Sequence, residues 1–583
     1  MTTWQLEEPG QKVEPAVGDR VEIRRFSKWV PLDQQGDKGS IGKWELAPYQ
    51  LLDGTEGEML AVNYKVELHS GEDSMPPVIT LDPKLAGIYA IYCLMPALDW
   101  KPVLGEGIEG VDIALDGERF YSVSPKIGFR KGRRLCETNR EFCVLFRYAR
   151  MDRRKIQIRV PFGVPSVQCA GLVRACLSAL RFVRVDAMPV RKPSTKKVMV
   201  VCDGFSHYYT AGLPGEDLDL RLVDMYRDSD VNMLMLQTSN TGLSLWKSDV
   251  TSYLGEGMSR EDLEGKRVGD IRASNYLRWA VESGRDPIRI QSEACLKNQM
   301  EFHLSIRANL FFQDPNPFMK DCEPFLNGRW WVENPDVRLP GGVKLDYEKK
   351  KARDFILALF SEALERYTLD GINLDMTRWP PIFDPKRHSP ELVLTVAREL
   401  RELVDRHNQR TNSRVKLSML FVEGYHAGMT LEEQGIDFER LMEQRLLDFV
   451  CVEAWDIRHF VDIAHRYATP CLAIQDGESV YYPGGFRADP LWKTADGEVQ
   501  NDPRAGEEFL EQPPINSSPA AWELNIAVDR AYRAEADGMA FVNYFIGCLP
   551  LRGAGQEDAI RQGLSRREVF GQEEGDYLFL RED

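Results

Sequence analysis

The sequence predicts a multi-domain protein: a C-terminal (β/α)8 TIM barrel preceded by an N-terminal β-sandwich. Three observations point there. Roughly the first 190 residues carry short runs of alternating apolar and polar residues between turn clusters. A polar segment with two prolines, PVRKPSTKK at 189–197, follows and reads as a linker. Beyond it, β-branched runs alternate with long helical stretches, the pattern of βα units around a parallel sheet. The expected domains are thus a sandwich over 1–188, the linker 189–197 and a barrel over 198–583.

In the first domain the strand candidates are Arg20–Phe26, Tyr64–His69, Gly87–Met95, Val111–Asp116, Phe142–Arg150, Lys155–Val160 and Ala179–Ala187. The run Lys155-Ile156-Gln157-Ile158-Arg159-Val160 alternates with period two, as a half-buried strand does. Short strands at this spacing suit a sandwich.

In the second domain eight strand candidates stand in order: Val198–Cys202, Val231–Thr238, Glu301–Arg307, Gly371–Asp375, Val415–Val422, Phe449–Glu453, Cys471–Gln475 and Met539–Tyr544. Helix starts separate them. Ser389-Pro390 precedes Leu392, Val396, Leu400 and Leu403, and Ser518-Pro519 precedes Trp522, Ile526 and Val528. Thr430 with Glu433 has the spacing of a capping box. Asp370-Gly371 and Asp537-Gly538 enter strands four and eight in parallel fashion. The rival architecture, a doubly wound open sheet, would want a Gly-rich phosphate turn after its first strand, and none is present.

Composition narrows the function. The 583 residues hold 74 Lys plus Arg against 90 Asp plus Glu, a net charge of −16, with 43% hydrophobic residues. Ample apolar material excludes disorder as the main theme. The acidic balance disfavours nucleic acid and anionic membrane surfaces as partners. No apolar run approaches the about 20 residues of a transmembrane helix. The opening MTTWQLEEPGQKVEP shows no secretory signal, so a cytoplasmic location is expected, or a periplasmic or secreted one had a signal been removed. The 11 cysteines follow no metal spacing and read as reduced thiols, with Cys136 and Cys143 as one conceivable pair. The eight histidines never pair at HxH, HxxH or HxxxH spacing, and no GxSxG elbow or phosphate loop occurs. The expectation is no metal, no nucleotide and no other cofactor. Homo-oligomer formation is left open.

Barrel active sites lie at the C-terminal strand ends. There the sequence places Asp203 and His207 after strand one, and Arg307 and Asn309 after strand three. Asp375, Arg378 and Trp379 follow strand four, and Glu423, Tyr425 and His426 strand five. Glu453, Trp455 and Asp456 follow strand six, Asp476 and Glu478 strand seven, and Asn543 strand eight. A ring of carboxylates gains nothing structurally, because like charges repel. Glycosidic cleavage needs such a pair, one to protonate the leaving oxygen and one to attack or to activate water. Asp375 is the strongest candidate, as nucleophile or transition-state stabiliser, with Glu423 or Glu453 as proton donor. An N-cap or an ion pair with Arg378 is the bland reading of Asp375. Arg307 and Asn309 read as substrate clamps, or Arg307 as a partner offsetting a ring carboxylate. Trp330, Trp331, Trp379, Tyr425, Trp455, Tyr481 and Tyr482 offer flat faces for sugars, and His207, His303 and His426 could titrate or bind ligand.

These residues also resemble a family. The run Leu369-Asp370-Gly371-Ile372-Asn373-Leu374-Asp375-Met376-Thr377-Arg378-Trp379-Pro380-Pro381 resembles the DGIELDFMR-P signature of bacterial "family 10-like" glycosyl hydrolases. Phe302 to Asn309, Gly435 to Val450 and Ser518 to Asn543 are similar to that family's strand three, its approach to strand six, and its last helix and strand. The match covers most of residues 198–550. It implies a barrel acting on polysaccharide and a galactose-binding-like sandwich over about residues 85–188, whose last strand Ala179–Asp186 resembles. Asn373 stands where the family often has Glu, and Leu310 where it often has Asp.

The leading expectation is therefore a glycoside hydrolase acting on an oligo- or polysaccharide with paired carboxylates. The alternatives are a carbohydrate-binding protein without catalysis, in which Asp375 is locked by Arg307 or Arg378, and a lyase or isomerase that clamps an acidic sugar with Arg307.

Overall fold

The computed structural model describes residues 2–37, 40–51, 54–65, 76–97, 111–123, 129–130, 133–134, 140–160, 172–189, 193–208, 216–227, 229–238, 240–259, 261–314, 322–340, 342–383, 389–423, 428–454, 456–476, 492–493, 499–500, 528–542 and 554–557.

The N-terminal part forms mostly antiparallel sheets. A five-stranded sheet runs Thr3–Gln5, Arg20–Ile23, Ala179–Val185, Ile88–Ala97, Arg140–Arg150. One four-stranded sheet runs Ile79–Leu81, Ile156–Arg159, Val111–Leu115, Tyr121–Val123, and another Leu172–Leu177, Glu56–Lys65, Trp44–Gln50, Gln35–Gly36. Ile156–Arg159 shows the expected alternation of buried and half-buried residues. Several strands were not expected, among them Thr3–Gln5, Trp44–Gln50, Ile79–Leu81, Tyr121–Val123 and Leu172–Leu177, and one is shifted. The strand expected at Tyr64–His69 occupies Glu56–Lys65, with residues 66–69 outside the described set. Its Met59 and Ala61 pack into one cluster and Leu60 and Val62 into another, so both faces are apolar and no alternation marks it. Trp44–Gln50 contains Pro48, which hides a strand from a sequence reading.

The linker is not slack at its end. Thr195 and Lys196 donate their backbone N–H to the Gly555 carbonyl (3.0 and 3.2 Å), and the Lys196 ammonium caps the Ala536 carbonyl (2.8 Å). An ion pair of Arg119 with Asp224 at 3.5 Å ties the N-terminal sheets to the helix Glu216–Asp224, and one contiguous apolar cluster runs through both parts.

The eight expected strands close into a parallel barrel: β1 (Lys197–Asp203), β2 (Met233–Gln237), β3 (Glu301–Arg307), β4 (Gly371–Asp375), β5 (Lys416–Val422), β6 (Phe449–Glu453), β7 (Cys471–Asp476) and β8 (Gly538–Val542). β1 pairs with both β2 and β8, which completes the ring. The helix Glu391–Thr411 begins where expected, with the Ser389 hydroxyl accepting the Glu391 N–H at 3.0 Å. Thr430 and Glu433 form both bonds of the capping box, at 2.7 and 3.1 Å, around a turn rather than a helix. The other Ser-Pro helix start, at Ser518, lies outside the described residues.

Strand alternation fixes what fills the barrel. Met199 and Val201, Met233 and Met235, Leu420, Phe449 and Cys451, Leu472 and Ile474 form its inner apolar cluster. The same phase turns Ser305, Asn373 and Ser418 inward, side by side in register. They form a polar seam: the Ser305 hydroxyl donates to the Asn373 side-chain oxygen and the Asn373 amide to the Ser418 hydroxyl, both at 2.9 Å. Asn373 is fully buried, and its amide supplies one acceptor and one donor where a carboxylate would supply acceptors alone.

The lower end of the barrel is closed by charge. Glu301 pairs with Lys416 (2.7 Å), Lys197 (3.0 Å) and His303 (3.1 Å). Burial alone would raise the Glu301 pKa, but bonds from His303, Lys416 and Lys197 outweigh it and hold the carboxyl well below its usual range. A carboxylate with a lowered native pKa stabilises the fold above its unfolded value and loses that contribution as pH falls. Acid unfolding should therefore steepen below an unfolded value of about pH 4.3, and Glu301→Gln should flatten that limb; urea midpoints measured across pH check it. Above Glu301, the His303 ring fills the space over Gly371, where a Cβ would fall 2.2 Å from Nδ1. Gly371→Ala should cost roughly 1–3 kcal/mol through overpacking, read as a lowered urea midpoint.

Candidate functional site

The upper, C-terminal ends of β1 to β4 converge on one carboxylate. Alternation carries Asp203, Gln237, Arg307 and Asp375 inward above the apolar and polar tiers. Asp375 is 1% exposed. Its Oδ2 accepts from Gln237 Nε2 at 2.6 Å and lies 3.5 Å from Arg307 Nε; its Oδ1 accepts from the Thr377 N–H (2.8 Å) and hydroxyl (2.6 Å). Thr377 closes a turn of the Asx kind, in which a side chain caps the backbone two residues on. Arg307 reaches further, to Asp203 Oδ2 at 2.9 Å and to the Gln237 side-chain oxygen at 3.2 Å. Asp203 Oδ1 accepts the Phe205 N–H at 3.1 Å. A buried anion persists only where donors replace its water, and here two strands, through Gln237 and Arg307, and the turn at Thr377 supply them.

This geometry corrects several expectations. Asp375 faces into the protein and presents no surface from which to attack a substrate. Of the two partners expected for it, Arg307 and Arg378, Arg307 makes the ion pair. Arg307 is engaged by two carboxylates and is not an open clamp. Asn309 is 1% exposed; its side-chain oxygen accepts the Leu345 N–H at 3.1 Å, while Nδ2 has no partner among the described residues. His207, expected to bind or titrate near neutrality, is 4% exposed against the helix Glu216–Asp224 and donates from Nε2 to the Leu218 carbonyl at 2.8 Å. Burial first, then the nearby Arg221 charge, pushes its pKa down to about 3, so it stays neutral. His303 sits at the opposite end of the barrel, beside Glu301.

The two proposed proton donors part company by phase. β5 turns Ser418, Leu420 and Val422 inward, so Glu423 follows on the opposite phase. Its carboxylate accepts the Leu431 N–H at 3.0 Å. β6 turns Phe449 and Cys451 inward and Glu453 with them, half-buried at the mouth. Asp456 instead caps the helix Ile457–Arg466, accepting the His459 N–H at 3.4 Å.

Of the aromatics, Trp379 is 40% exposed and meets the Phe312 ring edge-on at 5.4 Å. Trp330 and Trp331 are not platforms: Trp330 stacks on Phe355 and Trp331 on Phe311, each at 3.7 Å. Arg378 is half-buried beside Trp379. His426, Tyr425, Trp455, Glu478, Tyr481, Tyr482 and Asn543 lie outside the described residues, as does the side chain of Asp476 at the end of β7. Gln237 and Thr377 escaped the sequence reading. The alternation Met233, Met235, Gln237 was the available signal for the first; the second follows Asp375 by two residues. Among the described residues no cluster of His, Cys, Asp or Glu suits a metal ion, and no helix is long and apolar enough to cross a membrane. Cys202, Cys295, Cys451 and Cys471 are buried as free thiols; Cys136, of the conceivable pair with Cys143, lies outside the described residues.

No family model matches the chain, and no curated protein matches it. Several solved structures are similar. A glycoside hydrolase family 18 N-acetylglucosaminidase from Paenibacillus barengoltzii shares 13% identity at a TM-score of 0.33, over 63% of this chain and 100% of that one. The GH20 β-N-acetylhexosaminidase from Streptomyces coelicolor shares 9% at 0.30, over 65% and 63%. The GH36 α-galactosidase AgaA from Geobacillus stearothermophilus shares 11% at 0.30, over 88% and 65%. All three neighbours are glycoside hydrolases. Similarity this low leaves the barrel resting on its own strand register, and any reaction on the site itself.

Removing the guanidinium strands two carboxylates. Arg307→Ala should cost about 3–5 kcal/mol, the usual penalty for breaking a buried pair. Asp375→Asn should cost clearly less, because Arg307 keeps Asp203; urea unfolding of the two variants gives the order.

Proposed function

We propose that this chain is a glycoside hydrolase acting at the C-terminal mouth of the barrel. Glu453 is the proton donor, and Asp375 is a fixed negative charge that stabilises the transition state rather than a nucleophile. The observation that carries this reading is the inward phase shared by Asp203, Asp375 and Glu453, the first two of them paired with Arg307. Cleavage passes through an oxocarbenium-like state, and a preorganised carboxylate below the sugar ring lowers its energy. Glu453 is half-buried at the top of β6, where its carboxyl can protonate the leaving oxygen as the glycosidic bond breaks; water then adds to the anomeric carbon and gives its proton back to the Glu453 carboxylate. The exposed face of Trp379 suits the apolar side of a pyranose ring. The substrate class is an oligo- or polysaccharide.

A second reading, carbohydrate binding without cleavage, is favoured by the complete burial of Asp375. An acidic-sugar lyase is not favoured: Arg307 already has two carboxylates, and His207 is neutral and buried.

A panel of aryl-glycosides and neutral oligosaccharides tests the first two. Glu453→Gln should lower kcat on oligosaccharides by about 10²–10⁴-fold, the usual worth of general acid catalysis, and less on aryl-glycosides with good leaving groups. Glu423→Gln should leave kcat within a few-fold. Turnover insensitive to Glu453→Gln overturns the assignment; sugar binding with no turnover on any substrate supports the second reading.

A further inference from the structure

A cavity of about 380 Å³ opens at the rim of the barrel between the loops that follow β2 and β3, within the size range of small-molecule sites. Tyr253, Met258, Phe325, Arg329, Val332 and Glu333 line it. None of the inward residues of the mouth does.

The two loops are locked together. A Cβ on Gly242 would lie 1.8 Å from the Asn327 carbonyl oxygen, and one on Gly328, whose φ is +79°, 1.9 Å from the Gly242 oxygen. Backbone therefore touches backbone, at positions that only glycine fills. The Arg329 N–H donates to the Ser252 hydroxyl at 3.0 Å, and Asn240 Nδ2 to the Leu326 carbonyl at 2.7 Å. The loop is also anchored to the mouth, because the Thr241 hydroxyl donates to the Arg307 carbonyl at 2.8 Å.

Over this rigid floor stand groups with unused capacity. Among the described residues the Arg329 guanidinium and the Glu333 carboxylate make no hydrogen bond or ion pair, not even with each other one turn apart on the helix Gly328–Glu333. Val332 is 40% exposed beside them. An isolated anion would meet Glu333 and Glu256, and a cation would meet Arg329. A neutral ligand with adjacent hydroxyls suits both: the guanidinium fork donates to one pair of oxygens, the carboxylate accepts from another, and the apolar wall covers a C–H face.

We propose that this rim cavity is a secondary carbohydrate subsite, binding a neutral sugar unit of an extended glycan whose reacting part lies in the mouth. It rests on the carbohydrate substrate proposed above. The test uses the full chain, with cello-, chito-, manno- and malto-oligosaccharides of two and six units as probes in isothermal titration. The double variant Arg329→Ala/Glu333→Ala is compared with wild type after thermal unfolding shows both folded. For the series bound, the preference for six units over two should fall about tenfold, equivalent to about 1.4 kcal/mol. An unchanged preference overturns the subsite, as does a wild type that binds none of the four series. Binding that depends on Arg329 and Glu333 without cleavage of any glycan leaves the subsite standing and removes the hydrolase.

Discussion

Arg307 lies 2.9 Å from Asp203 and 3.5 Å from Asp375 with almost no access to water, and the upper tier of the barrel is arranged around that three-body pairing. Two carboxylates share one guanidinium where little water reaches them. Gln237 supports the pairing by acting twice, donating to Asp375 and accepting from Arg307. Thr377 holds the other oxygen of Asp375 from the turn above. An anion so held has its lone pairs committed to protein donors, which suits a stationary charge and not an attacking one.

The barrel was legible in the sequence because each of its strands is a compact apolar run between helical stretches with clear starts. All eight were located to within a few residues, including the near-identical entries Asp370-Gly371 and Asp537-Gly538. The N-terminal sheets were less legible. Strands such as Glu56–Lys65 bury both faces, and Trp44–Gln50 carries a proline, so neither shows the alternation that a sequence reading depends on.

The site was legible as a set of strand ends and not as an arrangement. Whether a residue enters the mouth turns on strand phase, and one position of difference separates Glu423, which bonds a turn N–H, from Glu453, which faces inward. Partnership was harder still. Arg378 and Arg307 were both open as partners of Asp375, and only the register of β3 against β4 selects Arg307. The departure at Asn373 also finds its reason only in three dimensions, as the middle member of a hydrogen-bonded seam through β3, β4 and β5.

The apposed backbones at Gly242 and Gly328 have a consequence for how this rim can diverge. Neither position tolerates a methyl group without separating the two segments, so the pair behaves as a weld. Insertions can be accommodated on the far side of it, at the tips, where they would reshape the rim without disturbing the mouth. Lengthening on the near side would shift Thr241 and, through its bond to the Arg307 carbonyl, the charge centre itself. The shape of this rim can therefore drift outward from the weld while the interior stays unaltered.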